Sequence, residues 1–415
     1  MSKSGSVPAS DPWGTVLALG ITQITAWGSI YYSFALLMEP LQSALGASKS
    51  VVVGAFSVSL LASGLMSPMV GRLIDRHGGR FTMAAGSVLG GLALCALAYV
   101  TSVTELYVVW MLLGVAMAAT LYEPAFAVLT QAFRSNYRRA ITGLTLFGGF
   151  ASTVFWPITA LLIERYGWRE TATILGVLQL VVCVPLHLFA LPRKLIVRVE
   201  LTTVAESSTS LRDVLRDRTF YLLCLAFTAN ALVFSAMSVH MLAMLNAKGL
   251  TAVHAALIGA MVGPMQVLGR IVEMLFGSRI SPSKVGIIAM SMLPLSLVAF
   301  FLADGPIAVF VLFAVLYGAG NGVMTIVRGT IPAELYGRAN YGVVNGAMAA
   351  PVFVSKALGP LAASMAFGIL GGYGGVVLVL LAVGLLSAAV FTIATRIRRA
   401  STFAHQSIRA PHAER

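Results

Sequence analysis

Two basic residues, Arg270 and Lys356, interrupt long apolar runs that otherwise carry almost no charge. A guanidinium offers a planar fork that fits a carboxylate bidentately, and an ammonium adds a mobile point charge, so the two together suit a small organic anion. Glu273, three residues beyond Arg270, could instead neutralise it within one helix turn. Lys356 lies between Pro351 and Pro360 with no acid within a turn. Gln23, Trp27 and Tyr31 recur at i, i+4 and i+8 and share one helix face, an amide, an indole and a phenol able to line a partly wet cavity or simply to pack. Tyr122, Asn230, Tyr317 and Asn321 could line the same cavity or make interhelical hydrogen bonds. No P-loop, HExxH, GxSxG or nucleophile with a neighbouring base occurs, so no enzyme chemistry, cofactor or metal is expected.

The elements that must hold these residues follow from composition. Of 415 residues 58% are hydrophobic and 10% charged, against about 25% charged in a soluble domain. Such a chain belongs in a lipid bilayer. The net charge of +13 sits in short gaps between apolar runs rather than on one face, which argues against a nucleic-acid partner. Cys95, Cys183 and Cys224 all lie within apolar runs and read as free packing residues.

Twelve runs approach the roughly 20 residues needed to span hydrocarbon: 14–38, 51–73, 81–100, 106–128, 140–163, 171–191, 220–245, 253–277, 285–303, 307–327, 340–367 and 375–396. Each must be helical, because lipid supplies no hydrogen-bond partners. The polar stretch 192–218 divides a six-helix half, 1–191, from a second, 219–399, leaving a tail at 400–415. Alternate loops carry 22 Lys and Arg on one side and four on the other, Lys49, Arg165, Arg169 and Lys248. The basic side is expected to be cytoplasmic, with both termini inside a plasma (cytoplasmic or inner) membrane. Arg328 and Arg338 are counted together in the turn after the tenth run.

Arg139-Ala140-Ile141-Thr142-Gly143 and Arg338-Ala339-Asn340-Tyr341-Gly342 share R-A-x-x-G at an offset of 199 residues, which points to a parallel repeat of the halves. After the second run stands Gly71-Arg72-Leu73-Ile74-Asp75-Arg76-His77-Gly78-Gly79-Arg80, which fits G-x-L-x-D-R-x-G-x-R at every specified position. With this motif the chain resembles a major facilitator superfamily transporter over nearly its whole length. The resemblance implies that Gly71, Asp75, Arg76 and Arg80 form a cytoplasmic latch against the start of the eleventh helix, near Asn340. In the second half two alignments compete for the copy of this loop, one centred on Gly269, Arg270 and Glu273 and one running from Met274 to Lys284; the latter is chosen because it puts the turn at the membrane edge.

Gly263-Pro264-Met265-Gln266-Val267-Leu268-Gly269-Arg270, with Val239-His240 and Lys356, is similar to monocarboxylate porters and oxalate/formate exchangers. That similarity implies carboxylate clamping by Arg270 and Lys356. Proton coupling departs from the family: Trp110 stands where many members carry a fourth-helix arginine, and Gln266 where monocarboxylate porters carry an aspartate. Glu123 is the best remaining proton carrier, with symport, exchange and uniport all open. The expectation is an all-α membrane protein of two six-helix bundles that moves a small organic anion by alternating access as a monomer, with efflux of a drug-like compound as the alternative.

Overall fold

The computed structural model describes residues 12–133, 136–192, 211–303, 307–338 and 340–409, and every regular element among them is helical. The first half comprises α1 (13–45), α2 (Lys49–His77), α3 (Gly79–Leu97), α4 (103–132), α5 (137–166) and α6 (168–190). The second comprises α7 (Arg218–Ala247), α8 (Ala252–Phe276), α9 (Pro282–Leu302), α10 (Ile307–Tyr336), α11 (Tyr341–Leu370) and α12 (Tyr373–Arg409). Ten stretches qualify as uninterrupted spans. One of them, Tyr137–Ala190, holds both α5 and α6, which part at Gly167 with φ 85°, and α1 is divided by a π-helical turn. Most of the expected linker, 193–210, lies outside the described residues.

Several helices outrun their apolar cores at the basic-loop end. α10 continues to Tyr336 and α12 to Arg409, where apolarity alone suggested ends near 327 and 396. Hydropathy marks only the part of a helix that meets lipid, whereas backbone hydrogen bonding carries the helix on through the interface. One consequence corrects the charge count: Arg328 lies inside α10, eight residues before its end, and only Arg338 belongs to the turn. The asymmetry between the two sides loses one charge and keeps its sign.

Large side chains such as Leu65, Phe81, Phe189 and Ile369 are 70–80% exposed, as a lipid-facing surface requires. Buried hydroxyls return to the carbonyl one turn earlier, as in Ser29 to Thr25 and Thr120 to Ala116. Glycines let helices approach. A Cβ on Gly322 would collide with the Gln266 carbonyl, and one on Gly318 would crowd Val262 and Met265, so the glycine run of α10 is a packing seam against α8.

The halves meet at the basic-loop end. α2 lies along α11, and α4 and α5 meet α8, α10 and α11. A buried cluster of first-half residues, including Phe126, Ile141 and Leu144, takes in Ile326, Ala333 and Tyr341 from the second half. That apolar seal closes one end of the path between the bundles.

Candidate functional site

Asp75 closes the seal electrostatically. Its carboxylate accepts hydrogen bonds from the backbone N–H groups of Gly342 (2.8 Å) and Val343 (2.7 Å), in the first turn of α11, and from Gln131 Nε2 of α4 (2.5 Å). A negative charge on a helix N-terminus satisfies free N–H groups and complements the helix dipole. The contact needs bare backbone: a Cβ on Gly71 would collide with the Gly342 carbonyl, and one on Gly342 would crowd both Gly71 and Asp75. Arg76 is exposed, and Arg80 is half-buried with its guanidinium 5.9 Å from the Phe81 ring centroid. Arg338 adds a bond that sequence reading missed, donating to the carbonyls of Thr130 and Phe133 at the C-terminal end of α4 and lying 5.2 Å from the Tyr137 ring centroid.

A second polar contact between the halves mirrors the first. Glu273, near the end of α8, accepts from Arg138 Nε (2.8 Å) and from the Thr142 hydroxyl (2.8 Å), both in the opening of α5, and Arg138 Nη2 stands in ion-pair contact with it at 2.7 Å. Arg138 also donates to the Ile280 carbonyl at 2.5 Å. The turn after α8 falls at Gly277–Arg279, as the chosen alignment of the repeat requires. The acid that acts as Asp75 does, however, is the one from the rejected alignment. Glu273 is therefore engaged with Arg138 rather than with Arg270.

The face carrying Gln23, Trp27 and Tyr31 divides into support and surface. Pro124 has no N–H to give the Thr120 carbonyl, and α4 breaks at Leu121 (φ −81°, ψ −153°). Gln23 Nε2 fills the gap, donating to Thr120 O (2.7 Å) and Leu121 O (3.3 Å), while its Oε1 accepts from Trp27 Nε1 (3.1 Å). Gln23 is wholly buried, so it braces the expected wall without contributing to its surface. Trp27 packs on Tyr31 (4.9 Å between ring centroids), Tyr32 (5.9 Å) and Tyr122 (5.1 Å). Tyr32 escaped the 3.6-residue pattern because Trp27–Tyr32 is π-helical; i to i+5 bonding, as from Ser33 N to Gly28 O, brings position 32 over position 27.

Arg270 is 5% exposed. Its Nη1 donates to Thr145 O of α5 (2.7 Å) and its Nε to Gly322 O of α10 (3.4 Å). The Tyr122 hydroxyl reaches the same Thr145 carbonyl at 3.5 Å. Gly148 and Gly149 leave room for the two groups, since a Cβ on either would collide with the Tyr122 hydroxyl or the Arg270 guanidinium. Both acceptors of Arg270 are neutral carbonyls, and among the described residues no carboxylate lies within ion-pair distance of it.

Lys356 Nζ stands 5.2 Å from the Phe353 ring centroid, again with no described carboxylate in ion-pair distance. Pro360 deprives the Lys356 carbonyl of its helical donor, and Ser235 of α7 supplies one at 2.5 Å. Of the remaining candidates, the Tyr317 hydroxyl is spent on Phe234 O (3.1 Å) and ties α10 to α7. Asn230 is buried with Nδ2 lacking a hydrogen-bond partner, and Asn321 is half-buried.

Glu123 meets a partner that the sequence had placed in a loop. Arg328 Nη2 lies 3.2 Å from Glu123 Oε1, joining α10 to α4 across the halves. Lys356 is within electrostatic reach of both. The signal lay in the sequence: apolar residues continue past Arg328 to Ile331 and Ala333, so the run ends later than its first charge suggests.

Comparison with known proteins agrees with this architecture. The sequence profile of the Major Facilitator Superfamily matches residues 18–303. Monocarboxylate transporter 13 of Rattus norvegicus is 27% identical over 338 residues, 80% of this chain and 77% of that protein. The E. coli fucose:proton symporter superposes with a TM-score of 0.70 at 14% identity, over 92% of this chain and 98% of that one. A proton:xylose symporter gives a TM-score of 0.71 at 13% identity, over 92% and 95% of the two chains. On its sequence and its paired six-helix bundles, the chain belongs to the Major Facilitator Superfamily of transporters.

Proposed function

We propose that this protein carries a small organic anion, a monocarboxylate or short dicarboxylate, across a plasma membrane by alternating access as a monomer. The observation that carries the reading is the charge of the bundle interior. Arg270, Arg328 and Lys356 stand inside it among the described residues, and of the acids near them Glu123 serves Arg328 and Glu273 serves Arg138. An ionised group within the membrane costs several kcal/mol unless paired, so a carboxylate substrate supplies the counter-charge that the protein leaves out. The similarity to a monocarboxylate transporter supports the same class of substrate.

In this reading the basic-loop end is cytoplasmic, both termini lie inside, and the closed seal at Asp75 and Glu273 makes the present state outward-facing. Arg270 and Lys356 grip the carboxylate, while Trp27, Tyr31 and Tyr122 pack against its carbon chain. Rocking of the halves opens the seal and wets the cations, which weakens their hold. Reconstituted proteoliposomes test this directly. Labelled lactate or succinate is expected to enter faster than into empty vesicles, with competition by unlabelled carboxylates. Competition by neutral or cationic hydrophobic compounds alone would contradict it.

A further inference from the structure

We propose that the carboxylate site prefers an aromatic monocarboxylate without an ammonium group, and that Tyr32 and Tyr122 set this preference. This rests on the anion-transport reading above and names the class of anion within it.

The two halves contribute different chemistry to the space between them. The interior cations Arg270, Arg328 and Lys356 come from α8, α10 and α11 of the second half, whereas a panel of rings comes from the first. Trp27, Tyr31 and Tyr32 of α1 and Tyr122 of α4 form it, the Trp27 ring centroid standing 4.9, 5.9 and 5.1 Å from those of Tyr31, Tyr32 and Tyr122. Phe234 and Tyr317 of the second half pack instead into a cluster of that half's own residues. A ligand that bridges the halves therefore meets rings on one side and positive charge on the other.

The panel borders on both proposed anchors of the carboxylate. One carbonyl, Thr145 O, takes the Tyr122 hydroxyl at 3.5 Å and Arg270 Nη1 at 2.7 Å. Arg270 is within electrostatic reach of Tyr32 as well as of Tyr122. On α11, Phe353 and Ala357 stand on either side of Lys356 and pack in the same apolar cluster as the four rings. An acid held by these cations sets its next carbon atoms against the panel.

The rings are in place before a ligand arrives. Trp27 is fixed by Gln23 at 3.1 Å, Tyr31 leans on Phe56 with 5.2 Å between ring centroids, and Tyr122 stacks on Phe126 of the seal at 5.3 Å with 9° between the planes. Tyr32 joins them because the π-helical turn rephases α1, a rare irregularity that is frequent at functional sites. Tyr31, Tyr32 and Tyr122 are half-buried, so each keeps a free surface. Rings already held lose little freedom on binding, and an aromatic partner gains offset or edge-to-face contact beyond what its buried area supplies. An aromatic wall also attracts cations. Here Arg270 and Lys356 repel one, which leaves an aromatic acid without an ammonium group as the ligand that satisfies both sides.

Calorimetric titration of the purified full-length protein with benzoate and with cyclohexanecarboxylate tests this. The two acids share charge and carbon count, and the saturated ring has no less apolar surface, so area alone gives benzoate no advantage. Benzoate is expected to bind roughly tenfold more tightly. Tyr32→Leu and Tyr122→Leu should each lower that ratio by about threefold or more, while Tyr32→Phe and Tyr122→Phe, which keep the ring, preserve it. Phenylpyruvate should displace benzoate and phenylalanine should not. A wild-type affinity for benzoate no better than about twice that for cyclohexanecarboxylate would overturn the proposal. So would a benzoate preference that survives both leucine substitutions, or displacement by phenylalanine equal to that by phenylpyruvate. Failure of benzoate, cyclohexanecarboxylate, lactate and succinate alike to bind would instead overturn the anion reading on which the proposal stands.

Discussion

Replacing Arg270 by Gln is expected to reduce carboxylate uptake roughly 100-fold, with membrane insertion intact. The guanidinium is 5% exposed and anchored by carbonyls of α5 and α10, so it is held in place before any ligand arrives. Removing one partner of a buried charge pair costs about 2–5 kcal/mol, and 3 kcal/mol within that range corresponds to roughly two orders of magnitude. Arg270→Lys should recover little of the loss, because an ammonium cannot bridge Thr145 O and Gly322 O while presenting a fork to the ligand. Lys356→Gln should produce a loss of similar size. Initial rates of lactate or succinate uptake, normalised to reconstituted protein, measure both. Uptake by Arg270→Gln within a factor of about two of wild type would remove Arg270 from the site.

The second large effect belongs to the latch. Asp75→Asn keeps the side-chain volume but replaces one carboxylate oxygen with an amide nitrogen, which cannot accept from the N–H of Gly342 or Val343. Losing one charge-assisted hydrogen bond costs about 2 kcal/mol, a shift of roughly 30-fold in the balance between closed and open states of the basic-loop end. Turnover is therefore expected to fall much more than affinity does, since the binding groups lie elsewhere. Uptake rates and ligand-binding curves on the same variant separate the two. A variant that binds substrate weakly yet turns over normally would contradict the latch role.

How much of this was legible in the sequence depends on whether the signal was local. The helices were, because apolar runs of near-constant length have one solution in lipid. So was Asp75 against a helix start, because its motif is contiguous in sequence; that the helix is α11 is what the resemblance to the superfamily implies. The pairing of Glu273 was not. Its nearest basic residue in sequence is Arg270, three positions away, whereas its partner Arg138 is 135 positions away and arrives only when α8 packs on α5. Gln23 looked like a cavity residue because polarity in a membrane helix suggests a ligand; the structure gives it the carbonyl that Pro124 leaves unpaired, a need visible only when α1 meets α4. Tyr32 was hidden by periodicity itself, since a π-helical turn rephases the face that a regular helix would show. Arg328 reads as a loop residue as long as the first charge after an apolar run marks the helix end. Ion pairs between halves are long-range facts, and they are what make these residues a site.

The most direct measurement of the central claim is ligand-induced thermal stabilisation of the purified protein. The panel would pair mono- and dicarboxylates with neutral and cationic hydrophobic compounds, on wild type, Arg270→Gln and Lys356→Gln. A ligand that binds only the folded state raises stability with the logarithm of its concentration relative to Kd. The account predicts a shift with carboxylates that both substitutions abolish. A shift produced only by the hydrophobic compounds, and unchanged in the two variants, would make the cations structural and the protein a carrier of drug-like molecules.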